Sequence, residues 1–158
     1  MPIYLDNHAT TRLDPRVLEA MLPWFTERYG NAGSATHAMG RESRDAVEES
    51  RARMAKAVGA DLREIVFTSG ATEAINLALQ GAAARRDRPG SILAPATEHP
   101  AVLDTLDHLG RRGHRCTRLP VIGQSSPGVA GRIDPTVFDL AWDDDTFLAA
   151  PPPPGERD

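Results

Sequence analysis

The residues with the most chemical potential stand in one block, Phe67-Thr68-Ser69-Gly70-Ala71-Thr72-Glu73-Ala74-Ile75-Asn76. An apolar extended piece runs into small residues and then opens directly into a helical pattern. Such a turn exposes unpaired backbone N–H groups at the positive end of a helix, next to the hydroxyls of Ser69 and Thr72. That combination can cradle a phosphate. The block is neither the nucleotide P-loop nor the dinucleotide fingerprint, because G-x-x-x-x-G-K-[ST] and G-x-G-x-x-G are both absent. The same residues also suit an ordinary strand-to-helix connection with Thr72 near the cap, and the block alone does not choose.

A second polar group, Thr97-Glu98-His99-Pro100, follows the next apolar run. In an open α/β sheet, ligands bind beyond the carboxyl ends of the strands, so His99 and Thr72 are expected at one crevice. An imidazole there can stack on a planar ligand or exchange protons near neutral pH. A histidine before proline also serves as a helix cap or a surface group. His8, Thr10, Asn31, Ser34 and His37 are further polar residues in loops. Neither they nor His99, His108 and His114 have zinc-ligand spacing. Of the 18 basic residues, 17 are Arg, so Lys56 is the only candidate for chemistry that needs a lysine amine. The single cysteine, Cys116, excludes an intrachain disulfide framework and a zinc ribbon.

The elements that must position these groups follow from periodicity. Residues 3–5 form a short extended piece. Asp14-Pro15 opens a helix over 15–27, apolar at Val17, Leu18, Met21, Leu22 and Phe25, which Pro23 is expected to kink or interrupt. A loop over 29–34 precedes a helix over 40–58, ended by Gly59. Strands are expected over 64–68, 91–94 and 115–121, alternating with helices over 71–84 and 101–112. Alternation of this kind implies a parallel sheet with crossover helices, hence an α/β fold with a helical N-terminal arm. Residues 123–128 read as flexible, 133–141 as a short helix, and the proline-rich end from Pro151 as disordered. The expected division is an arm over 1–14, a main domain over 15–150 and a tail over 151–158.

Composition narrows the partners. The 158 residues carry 22 acidic against 18 basic side chains, a net charge of −4, and are 41% hydrophobic. That suffices for the core of one ordinary domain. The basic residues are scattered, which argues against a general nucleic-acid binder. No apolar run is long enough for a membrane span, and the first residues do not form a secretory signal. A soluble, reducing, cytoplasmic setting is expected.

Four segments together carry a resemblance: YLDNHATTRLDPRV, YGNAGSATHAMGRES, EIVFTSGATEAINLAL and TEHPAVLDTLDHLGRRGHRCTRLPV. In order and spacing they resemble cysteine desulfurases of the class V aminotransferase group, which are pyridoxal-phosphate enzymes. The resemblance runs through residues 3–121 and weakens over 131–148. It implies part of the large domain of a fold type I PLP-dependent transferase. By resemblance, Ala71 and Thr72 hold the cofactor phosphate, and His99 stacks on the pyridine ring and shuttles protons. His8, Ala9 and Thr10 lie near the substrate carboxylate, with Asn31 and Ser34 in a neighbouring loop.

The resemblance also implies an activity: sulfur taken from L-cysteine, leaving L-alanine, for iron–sulfur cluster assembly or tRNA thiolation. Other class V enzymes, such as selenocysteine lyases or aminotransferases, share the phosphate block, and a non-catalytic binding remnant is the alternative from another class. The family's Schiff-base lysine, pyridinium-pairing aspartate, mobile cysteine and carboxylate-clamping arginine have no counterparts here. Lys56 reads as a solvated helix lysine and Cys116 as a sheet residue. A truncated gene, a frameshift near Ala149 or a naturally split enzyme would each account for this. The chain alone is therefore expected to be inactive and to need a complementing C-terminal half or a homodimer partner.

Overall fold

The computed structural model describes residues 3–7, 9–123 and 132–149. The chain divides into two units, with the boundary between Phe67 and Thr68. That boundary falls inside the segment expected to form one domain. His8, most of the stretch expected to be flexible and the proline-rich end lie outside the described residues.

The first unit is built on two helices. Helix α1 (Pro15–Thr26) begins where expected, with the Asp14 carboxylate accepting the Arg16 amide at 2.8 Å. It runs through Pro23 without interruption, and the Pro23 carbonyl still accepts the amides of Glu27 and Arg28. Proline costs one amide donor, but its ring restricts only the turn before it. None of the α1 side chains is buried.

Helix α2 (Ala38–Val58) starts two residues earlier than the sequence pattern suggests, because His37 caps it: Nδ1 accepts the Gly40 amide at 3.1 Å. Gly59 ends it at φ 70°, a left-handed conformation that glycine adopts without steric cost. Gly40 has a different reason. A Cβ there would stand 1.8 Å from the Ser34 carbonyl oxygen, so the 31–34 loop rests directly on the first turn of α2.

The expected strand over 64–68 does not form. Leu62–Glu64 is a 3-10 turn, in which the Glu64 carboxylate accepts the Asp61 amide at 2.7 Å. Residues 65–68 have no ladder partner among the described residues. Arg51 of α2 steadies this piece by donating to the Ile65 carbonyl and lying 5.0 Å over the Phe67 ring.

The second unit holds the sheet. Strands β1 (Ser91–Pro95), β2 (Arg115–Leu119) and β3 (Thr146–Ala149) lie in the order β2-β1-β3, all parallel. Helices α3 (Ala71–Ala84), α4 (Pro100–Arg111) and α5 (Pro135–Ala141) accompany them. Every residue of β1 is buried, as a central parallel strand covered on both faces should be. Its side chains alternate. Ile92 and Ala94 pack with Ala83 of α3 and with Val102, Leu106 and Leu109 of α4. Leu93 joins Leu119 and Ile133, with Val137 and Phe138 of α5 against them.

Strand β3 has only four residues, follows three aspartates, and lies where the sequence pattern sets no element. The structure uses those aspartates. Arg115 reaches both Ser91 and Asp143, tying the starts of all three strands together, while Asp143 accepts the Thr146 hydroxyl at 2.9 Å. Among the described residues no helix is long and apolar enough to cross a membrane.

Candidate functional site

Helix α3 begins at Gly70, which has no side chain to cap it. The Ala74 amide makes the first helical bond, to the Gly70 carbonyl, at 3.1 Å. Among the described residues no acceptor meets the amides of Ala71, Thr72 or Glu73. All three residues are exposed, and a Cβ placed on Gly70 would meet nothing within 4 Å. The turn therefore offers three free donors at the positive end of a helix, with open space before them.

The turn is braced from behind. Glu73 accepts the Ser69 amide at 2.6 Å and the Ser69 hydroxyl at 2.8 Å. These bonds hold its carboxyl below the usual carboxylate range, the backbone bond contributing most. The Ser69 hydroxyl is thereby committed to Glu73. Thr72 is the hydroxyl that remains at the free amides.

Helices α3 and α4 run side by side in the same direction. Thr72, Asn76 and Gln80 face Ala101, Thr105 and His108 in step across a groove of about 310 Å³. The Thr105 hydroxyl, buried between the helices, lies 2.9 Å from Asn76 Oδ1. Parallel running puts both helix starts at one end, beyond the carboxyl end of β1. His99 stands there as the N-cap of α4. Its Nδ1 accepts the Ala101 amide at 3.1 Å, so in this arrangement the neutral ring carries its proton on Nε2, and the side chain is exposed. The capping role open in the sequence is the one the ring plays, and it still leaves Nε2 free.

The remaining sequence candidates belong to the first unit. Ala9 and Thr10 form a turn on the Asp6 carbonyl, and the Thr10 hydroxyl lies 2.5 Å from that of Tyr4. Asn31 uses its side-chain oxygen on the Gly33 amide at 2.8 Å, and its carbonyl accepts the Ser34 amide at 2.9 Å. Asn31 thus shapes its own loop. The larger cavity of that unit, about 1220 Å³, lies between α1 and α2 and is walled chiefly by apolar side chains such as Met21, Phe25 and Val47.

Lys56 is exposed in the last turn of α2. Cys116 sits half-buried on β2 against the core, where desolvation and the nearby Asp107 push its thiol upward and keep it protonated. Both match the sequence reading. Sequence reasoning gave no role to Asn76, Thr105 or Glu73. Asn76 and Glu73 fall one turn from Thr72 and Ser69, which helical spacing makes visible. Thr105 lies 29 residues from Asn76, and only the packing of α3 on α4 joins them.

The family model described as aminotransferase class-V matches residues 3–130. The chain belongs to this family. Class V aminotransferases are pyridoxal-phosphate enzymes, and the helices and parallel sheet belong to the fold type I architecture of the solved relatives. The cysteine desulfurase IscS of Anaeromyxobacter sp. (strain K) is 49% identical over 151 residues, which are 95% of this chain and 36% of that protein. A solved NifS-like protein superimposes with a TM-score of 0.78 at 38% identity, covering 94% of this chain and 39% of its own. SspA, solved in complex with cysteine, superimposes with a TM-score of 0.72 at 33% identity, over 89% of this chain and 39% of its own. The class V chain described here thus spans little more than a third of the length of these relatives.

The residues present fit the phosphate end of the family's cofactor. Three free amides, a neighbouring hydroxyl and an uncapped helix start are a donor set for a phosphate dianion. The exposed His99 ring lies at the same end of the two helices.

Proposed function

We propose that this chain carries the cofactor-phosphate site of a pyridoxal-phosphate-dependent cysteine desulfurase. The observation that carries the reading is the uncapped start of α3 at Ala71 and Thr72, beside the His99 cap of α4. The relatives named cysteine desulfurase and the cysteine complex of SspA support the substrate. The reaction takes L-cysteine and an acceptor thiol to L-alanine and a persulfide. Iron–sulfur cluster assembly or tRNA thiolation would consume that sulfur, in the cytoplasm.

In this reading the amides of Ala71 and Thr72 and the Thr72 hydroxyl hold the phosphate. Charge-assisted hydrogen bonds of this kind contribute roughly 1.5–3 kcal/mol each. Pyridoxal phosphate, once bound, supplies an electron sink for carbanions formed next to an amino group. His99 would lie against the pyridine ring. Its Nε2–H can donate a hydrogen bond as the neutral ring stands, whereas taking up a proton, the step that would let the ring act as an acid, requires Nδ1 to release the Ala101 amide. His8, Ala9, Thr10, Asn31 and Ser34 are assigned to the substrate carboxylate side. Lys56 and Cys116 take no part, so the covalent anchor and the sulfur-accepting thiol come from a complementing segment or a partner chain.

Backbone amide spectra of the 158-residue chain, recorded with increasing pyridoxal phosphate, test the reading. The largest shifts are expected at Ala71, Thr72 and Glu73, with His99 ring signals moving alongside. Shifts confined to Lys56 and the chain terminus would contradict it.

A further inference from the structure

The first turn of α3 is held by more than its own backbone. Asn76 Nδ2 donates to the Thr72 carbonyl at 3.0 Å. Its Oδ1 accepts from Gln80 Nε2 at 3.0 Å and from the Thr105 hydroxyl at 2.9 Å. The carbonyl of Thr72 fixes the amide's orientation, since turning it over would set oxygen against oxygen. The buried Thr105 hydroxyl has one proton facing two acceptors, Asn76 Oδ1 and the Ala101 carbonyl at 2.8 Å, so it links the Asn76 side chain to the first turn of α4. One side chain thus grips the turn with the free amides and the helix that His99 caps.

The geometry points to Asn76, backed by Thr105, as the residue that positions the phosphate cup against His99. The inference rests on the reading of the α3 start as the phosphate site and adds to it a positioning pair. Two effects follow from the contacts. The Nδ2 bond to the Thr72 carbonyl draws charge along the peptide that joins Thr72 to Glu73, and the Glu73 N–H becomes a stronger donor. The Thr105 bond fixes the step between α3 and α4, so a ligand held at the α3 start meets the His99 ring at a set distance. Neither residue needs to touch the ligand.

The test uses the whole chain with pyridoxine 5′-phosphate and pyridoxine, which lack the aldehyde and cannot react with Lys56. The quantity read is the preference for the phosphate ester over the alcohol. Asn76→Leu keeps the side chain's bulk without its hydrogen bonds, and is expected to lower that preference about five- to tenfold. Thr105→Val is expected to lower it by a smaller factor, Thr105→Ser to restore it, and the double variant to match Asn76→Leu alone. If Asn76→Leu does not fold, the Thr105 pair carries the test from the other helix. Unchanged preference in both Asn76→Leu and Thr105→Val, with the wild-type chain discriminating, overturns the positioning role alone. A wild-type chain without any preference overturns the phosphate site, and the positioning role with it.

Discussion

Both polar hydrogens of Ser69 end on one oxygen of Glu73: the amide lies 2.6 Å and the hydroxyl 2.8 Å from Oε2. The turn into α3 is therefore closed from its own chain, and a carboxylate stands in the first turn of α3 without occupying the amides of Ala71 and Thr72. This division of labour leaves the helix start both ordered and open.

A pH dependence follows. Asp14, Glu73 and Asp134 each titrate below their ordinary range in the folded chain. For Glu73 the cause is chiefly the Ser69 amide; for Asp14 and Asp134 it is chiefly the side chains of Arg16 and Thr136. A lowered carboxyl pKa adds stability that is fully present above the ordinary carboxylate range and is lost as pH falls through the lowered value. Helix content followed by circular dichroism is expected to hold down to about pH 4 and fall below it. Glu73→Gln should remove its share of that fall. A helix signal that weakens on going up from pH 4 to 7 would contradict the assignment.

The core makes a sharper stability prediction. Leu106 is 1% exposed and packs on Ile92 and Ala94 of β1. Leu106→Ala should destabilise the second unit by about 2–5 kcal/mol, through lost burial and the cavity left behind. Urea unfolding followed by the far-ultraviolet signal measures it. A change below 1 kcal/mol would mean that α4 is not seated on the sheet.

Two glycines should respond in opposite directions. Gly40→Ala drives a Cβ into the Ser34 carbonyl, so the 31–34 loop must lift from α2 and stability falls. At Gly81 in α3 an added Cβ meets nothing within 4 Å, and Gly81→Ala should raise stability by up to about 1 kcal/mol from helix propensity. Thermal unfolding of the two variants checks both signs.

Activity gives a fourth prediction. The 158-residue chain is expected to form no alanine from L-cysteine, with or without Lys56→Ala, because Lys56 is exposed in the last turn of α2 and Cys116 is a protonated core thiol. Alanine production by the pure chain that disappears on Lys56→Ala would reverse that assignment.

Much of this was legible before any coordinates. Helix α3 spans the residues its periodicity marks, and Asp14-Pro15 and Asp134-Pro135 announce two helix starts that rely only on neighbours in sequence. What escaped depends on distant residues. A strand needs a partner, which 65–68 lacks among the described residues and the short β3 finds in β1. The site shows the same contrast. The open turn at Ala71 and Thr72 is local, whereas its bracing by Thr105 depends on how two helices pack.

The central claim is that the start of α3 binds the phosphate of a pyridoxal-type cofactor. Titrating the chain and its Thr72→Val variant with pyridoxine 5′-phosphate and with pyridoxine tests it most directly. Thr72→Val removes one hydroxyl and keeps the shape, so affinity for the phosphate ester should fall about tenfold while that for pyridoxine stays unchanged. Equal losses for both ligands, or none for either, would reduce the site to an ordinary helix start.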